Sequence, residues 1–269
     1  MSGPVFIKSR KVLMGQSNHK YKQLHELQGR IRKCRLCRLA LTRTHAVPPE
    51  GDPHSRIMII AQAPGRQENE QGRMFIGPSG EVLDRLFEQI GLDRKEVYMT
   101  NLLKCFLPNC RKPRADEIET CSVHLDKELE LVGPELLVPL GYHPTKSILQ
   151  KFGLEVPNRY HFPALFGQLL IAGRYKILPL RHPATVVHGS ARFDDLAENY
   201  RKLKVTATTC KWFQVCPMRY FYEQGKLNKY WIDRYCRGDW ESCIRYQMEE
   251  NGQPHPDNML PDGSHDHNL

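Results

Sequence analysis

The chain has 269 residues, 40% of them hydrophobic and 26% charged, which is ordinary for a globular protein with one main domain and a smaller piece. A net charge of +9 points to an anionic partner, and nucleic acid is the commonest one. No apolar run approaches the ~20 residues that cross a bilayer, and the start M-S-G-P-V-F-I-K-S-R-K is too short in apolar residues for a secretory signal. A cytoplasmic, nucleoid-associated monomer with no membrane partner is therefore expected. In a reducing compartment the nine cysteines read as ligands rather than disulfides.

Residues 1–18 read as a flexible basic lead. Leu24, Leu27 and Ile31 recur at helical spacing and predict a helix over 19–33 that ends at Cys34. The apolar run R-I-M-I-I-A at 56–61 predicts a strand buried on both faces. Ser79 is placed to cap a helix carrying Val82, Leu83, Leu86, Phe87 and Ile90, which Gly91 stops. A strand follows at 97–100, a helix at 115–131, a strand at 136–140 and a helix at 143–152. Strands at 168–172 and 175–180 flank Gly173, and a last helix covers 190–203. This alternation predicts an α/β domain over 19–205, three layers α/β/α around a mainly parallel, four-stranded central sheet. Such sheets place ligands at the carboxyl ends of their strands, where the loops from Ala61, Asn101 and Arg181 begin. Residues 206–250 change character to a Cys-rich aromatic module, and 251–269, rich in Pro, Asp, Gly and His, read as a disordered tail.

Cys34 and Cys37 form C-x2-C, and Cys105 and Cys121 follow with fifteen residues between them, spacings that suit a metal or an iron–sulfur centre. The segments A-Q-A-P-G (61–65), G-R-M-F-I-G-P-S-G (72–80), T-N-L-L-K-C (100–105) and R-H-P-A-T-V-V (181–187) carry an aromatic ring, a carboxamide and an imidazole. Those are the groups needed to stack and read a nucleobase outside its duplex.

On these motifs the chain resembles the family 4 uracil-DNA glycosylases, which carry an iron–sulfur cluster, over about residues 27–203. The resemblance implies the uracil-DNA glycosylase-like fold and a base excision repair enzyme. Such an enzyme flips uracil or a related deaminated base out of DNA and hydrolyses its N-glycosidic bond. It implies that Cys34, Cys37, Cys105 and Cys121 ligate a [4Fe–4S] cluster. It also implies that Ala61, Ala63, Glu68, Phe75, Asn101 and His182 hold the base. Phe75 would stack on it, Asn101 would read N3–H and O4, and Glu68 would crowd the 5-methyl of thymine. His182 would stabilise charge on O2, helped by backbone N–H groups of 62–66. Cys110 is a spare thiol in this scheme. No lysine in these loops suggests Schiff-base chemistry, so no strand cleavage is expected.

Two positions depart from the family pattern. Gln62 stands where relatives have a carboxylate; it is expected to orient the attacking water but cannot act as a base, with Glu68 or Asp52 as substitutes for the missing charge. Ala184 stands where relatives have serine. The departures keep two rivals open: a protein that binds uracil-DNA without turnover, and an iron–sulfur regulatory protein on the same fold. Arg111, Arg181, Thr185 and Val186 are expected at the DNA, with Val186 and Val187 as a wedge, and Lys112, Arg114, Arg174, Lys176 and Arg192 extend a phosphate track. Cys210, Cys216, Cys236 and Cys243, interleaved with aromatics, suggest a second metal or cluster that staples a small module.

Overall fold

The computed structural model describes residues 10–269, in two compact units, Met1–Arg201 and Lys202–Leu269. Of the basic lead expected over 1–18, residues 1–9 lie outside the described residues, and the first helix α1 already runs over Arg10–Lys33.

The first unit is built on β1 (Glu50–Gly51), β2 (Ile57–Ala61), β3 (Tyr98–Asn101), β4 (Leu136–Pro139), β5 (Leu170–Ala172) and β6 (Tyr175–Ile177), in the order β1-β3-β2-β4-β6-β5. The four central strands are parallel, as expected. Two short antiparallel strands, β1 and β5, extend the sheet to six. Neither was foreseen as an edge strand of opposite sense: β1 has two residues and β5 three, too few to display an alternation.

Every residue of β2 is buried, because helices cover both sheet faces. Met58, Tyr98, Leu137 and Ile177 stand side by side in register on one face. That row belongs to a core with Leu24, Leu27 and Ile31 of α1 and Leu125, Leu129 and Val132 of α4 (Ala115–Val132). Ile57, Ile59 and Val138 alternate with this row and are equally buried. α2 (Arg66–Gln71) follows β2, and α3 (Pro78–Ile90) buries Val82, Leu83, Leu86, Phe87 and Ile90. The cap of α3 is Gly77, not Ser79: Pro78 occupies the first helical position, where its missing N–H costs nothing. α5 (Tyr142–Lys151), the single turn α6 (Ala184–Val187) and the part of α7 (Phe193–Ala207) up to Arg201 complete the unit.

The chain leaves β2 toward β3 on one side and reaches β4 on the other. Strand order therefore reverses around β2, and a crevice opens at its carboxyl end. Among the described residues no helix is long and apolar enough to cross a membrane.

The second unit has no sheet comparable to the first. It contains α8 (Pro217–Glu223), α9 (Lys229–Trp231), a wide turn Ile232–Cys236 and α10 (Ile244–Glu250) around Phe213, Met218, Leu227, Ile232, Cys236 and Leu260. The segment 251–269 is not the disordered tail expected from its composition. Arg245 donates to the carbonyls of Pro256, Asp257 and Met259, and a bridge pairs Met259 with His265. The composition hid one buried anchor, Arg245, that ties down otherwise unpaired carbonyls.

Candidate active site

A cavity of about 530 Å³ lies at the carboxyl ends of the parallel strands, with Phe75, Asn101 and His182 all in its lining. β2 delivers Ala61 directly opposite Asn101 of β3, and Leu140 pairs with Leu180 just before Arg181 and His182. Three distant stretches of chain thus meet because parallel pairing aligns their ends.

Phe75 is buried and its backbone is left-handed, with φ 49°. Two contacts hold this strained geometry. Arg94 donates to the Phe75 carbonyl at 2.8 Å while paired with Asp84, and Gly80 passes so close that a Cβ there would fall 1.8 Å from the same oxygen. The Phe75 ring lies 6.2 Å from the His182 ring at 29°, nearly parallel to it.

Asn101 is 3% exposed. Its Nδ2 donates to Met74 Sδ at 3.1 Å, which orients the amide and leaves Oδ1 as an acceptor. Beneath it Lys104 donates to the Asn101 carbonyl at 2.7 Å and to Thr100 Oγ1 at 2.6 Å, and pairs with Glu128 at 2.8 Å. Lys104 and Glu128 are essentially without exposure, and burial pushes the Glu128 carboxyl up. This buried pair was not legible in the sequence, since it joins a strand-end loop to the middle of α4.

His182 Nδ1 accepts from the Ala184 N–H at 3.0 Å, so the neutral ring carries its proton on Nε2. Burial, with His188 nearby, pushes its pKa down to about 4. The ring is therefore a neutral donor at ordinary pH.

Gln62 and Ala63 are half-buried in the cavity wall. Glu68 also lines the cavity, but its carboxylate is engaged: Oε1 accepts from the Gly77 N–H at 3.0 Å, and a Cβ on Gly65 would come within 2.4 Å of Oε2. It fixes α2 to the loop before α3, a function that a polar R-Q-E-N stretch does not advertise. Asp52 lies at the other end of the sheet, since Gly51 pairs with Tyr98 at the start of β3. It is too far from the cavity to replace the charge missing at Gln62.

Around the rim, Arg181 sits over the Phe166 ring at 5.7 Å, and Arg111 is engaged with Glu117, whose carboxyl it holds below the usual range. Thr185 donates to the His182 carbonyl through N–H and hydroxyl, bracing the loop. Val186 is half-buried and Val187 is 42% exposed, so neither belongs to the core. Two members of the expected phosphate track do not join it. Lys176 is buried in β6, and Arg174 precedes β6 at the amino ends of the parallel strands, opposite the cavity.

Cys34, Cys37, Cys105 and Cys121 reach one region of the first unit. The Cys105 thiol is influenced by Cys37 and Cys34, and the Cys121 thiol by Cys105 and Cys37. Burial raises both, Cys121 to about 11. Arg43, unforeseen from the sequence, clamps the group: Nη1 donates to Cys105 Sγ at 2.9 Å and Nη2 to the Cys34 carbonyl. Among the described residues no three His, Cys, Asp or Glu side chains are arranged to hold a single metal ion. A cubane is a different demand, since each thiolate binds its own iron and the four ring the cluster instead of meeting at a point. Cys110 is exposed at the cavity rim and stands apart from this group.

The family model of the uracil DNA glycosylase superfamily matches residues 48–204. The chain belongs to the uracil DNA glycosylase superfamily. A type-4 uracil-DNA glycosylase of Sulfurisphaera tokodaii is 34% identical over 217 residues, covering 78% of this chain and 94% of that protein. The type-4 enzyme of Saccharolobus solfataricus is 38% identical over 65% of this chain and 82% of its own length. A type-5 uracil-DNA glycosylase of Pyrobaculum aerophilum is 31% identical over 60% and 76%. The superfamily match covers the sheet and the whole cavity wall. It reaches Cys105 and Cys121 but not Cys34, Cys37 or the second cysteine set.

Proposed function

We propose that this glycosylase excises uracil, or a closely related deaminated base, from DNA by hydrolysis and leaves an abasic site. The observation that carries the reading is the convergence of Phe75, Asn101 and His182 on one cavity. An extruded base stacks on Phe75, a contact worth roughly 1–3 kcal/mol. Asn101 Oδ1 accepts from uracil N3–H and Nδ2 donates to O4. Cytosine reverses both polarities and leaves buried groups unpaired. When the C1′–N1 bond breaks, its electron pair moves into the ring toward O2, where the His182 Nε2–H and backbone N–H groups of 62–66 donate. Water, oriented by the Gln62 amide, adds to C1′ and gives up a proton to solvent, which balances the negative charge carried off by the departing base. Glu68 is the carboxylate left in the cavity wall to favour the cationic sugar.

Exposed Val187, with Val186 behind it, enters the gap left by the base, while Arg181, Arg111 and Thr185 meet the backbone. Lys104 is buried in an ion pair and is not a Schiff-base nucleophile, so the strand stays intact. Cys34, Cys37, Cys105 and Cys121 hold a [4Fe–4S] cluster that ties the end of α1 to the loop after β3. When bound, it supplies cross-linking, and its irons would convert thiols that burial keeps protonated into thiolates. The protein acts as a monomer on cellular DNA.

Purified protein incubated with uracil-containing oligonucleotides, followed by alkali, tests this. Cleavage at uracil after alkali and none before is expected. Uracil-selective binding without release of base would favour a binding role instead. Restoring the carboxylate with Gln62→Glu is expected to raise single-turnover rates on the order of 10²-fold; an unchanged or lower rate would remove Gln62 from the water-positioning role.

A further inference from the structure

The second unit poses a separate problem. Its helices α8, α9 and α10 have seven, three and seven residues, and its core is a handful of side chains. A piece this small rarely holds together on apolar burial alone. Its four cysteines come from four separate places. Cys210 precedes the first turn, Cys216 caps α8, Cys236 ends the wide turn and Cys243 caps α10. They nonetheless face one another: the Cys236 thiol is influenced by Cys216, Cys210 and Cys243, and the Cys210 N–H donates to the Cys236 carbonyl at 2.7 Å. Burial raises the Cys243 thiol, and backbone N–H groups of Tyr246 and Arg245 point at its Sγ.

A second observation is independent of the thiols. Arg245 is 2% exposed, and its Nη1 is spent on three carbonyls, but Nε and Nη2 have no partner. The same guanidinium influences both Cys236 and Cys243. A buried cation with unpaired donors is destabilising unless an anion sits beside it. The space itself narrows the choice of occupant. All four cysteines line a void of about 50 Å³, closed by Trp212, Phe213, Tyr235 and Trp240. That is several times the ~10–15 Å³ that one water requires. A single zinc, which draws four thiolates around one point, is the competing occupant. An iron–sulfur core fills such a space, and its bridging sulfides and ligand sulfurs accept N–H donors of the kind Arg245 presents.

We propose that Cys210, Cys216, Cys236 and Cys243 ligate an iron–sulfur cluster, a second centre separate from the one at Cys105. The four thiols each release a proton as they bind iron, and Arg245 is a positioning residue that stabilises the anionic cluster. Full-length protein prepared without oxygen, with iron and sulfide supplied, is assayed for iron, acid-labile sulfide and zinc per chain, alongside Cys236→Ala and Cys105→Ala. Cys236→Ala is expected to lose about two to four irons and as many sulfides, while Cys105→Ala keeps that portion. The wild-type stoichiometry and its Mössbauer spectrum give a reading that does not depend on how either variant folds. The proposal is overturned by one zinc per chain that disappears with Cys236→Ala, or by iron content indifferent to that substitution. Iron lost only with Cys236→Ala would uphold this centre while refuting the one at Cys105.

Discussion

On the proposed reading, Asn101 tells uracil from cytosine only while its amide is held one way round; Met74 takes the Nδ2 donor, and Lys104 beneath braces the Asn101 backbone carbonyl. Lys104→Met leaves the Glu128 carboxylate buried without its partner and is expected to cost about 3–5 kcal/mol in urea unfolding. Adding Glu128→Leu should recover most of that loss; if the double variant is no more stable than the single, the pair is not what stabilises the strand end. The neutral state of His182 has its own consequence. Its folded pKa, about 4, lies below the ordinary 6.5. As pH falls through 6.5 the unfolded chain takes up the proton first, and stability declines until about pH 4, where the folded ring protonates too. Above that range the ring contributes no pH dependence. Single-turnover excision is therefore expected to be flat from pH 8 to about 5, and an inflection near 6.5 that vanishes in His182→Asn would show an ordinary, chargeable imidazole instead.

The elements that carry the site were readable in proportion to their regularity. β2, α3 and α4 announced themselves through a continuous apolar run or a helical stripe. α2 was missed because R-Q-E-N-E-Q contains no apolar residue to set a period, although it carries Glu68. α6 is one turn long, below the length at which periodicity exists. The motif residues Phe75, Asn101 and His182 were legible by type and position. Their supports, Arg94, Lys104, Glu128 and Arg43, were not, because each acts across a separation in sequence that only the fold closes. The junction of Phe75 with α3 makes this testable. Gly80→Ala places a methyl against the Phe75 carbonyl, and the backbone must shift. We expect weaker uracil-DNA binding by at least tenfold, comparable to Phe75→Ala, together with a lowered Tm. Unchanged binding would mean that the ring's placement does not depend on the helix start.

At the scale of the whole molecule, net charge alone did not show which basic residues face DNA. Sheet polarity separates them: Arg181 lies at the carboxyl ends of the parallel strands, beside the cavity, and Arg174 at the amino ends. Arg181→Ala is expected to lower the slope of log K against log salt by about 1, whereas Arg174→Ala leaves it unchanged. Equal effects from both would place the phosphate track elsewhere. The more demanding measurement is a crystal structure of the full chain soaked with uracil. The account predicts the ring lying against Phe75 next to His182, with N3–H on Asn101 Oδ1, O4 near Nδ2 and O2 facing His182 Nε2. Uracil bound outside this cavity, or in it with its N3–H edge turned away from Asn101, would contradict the assignment of all three side chains.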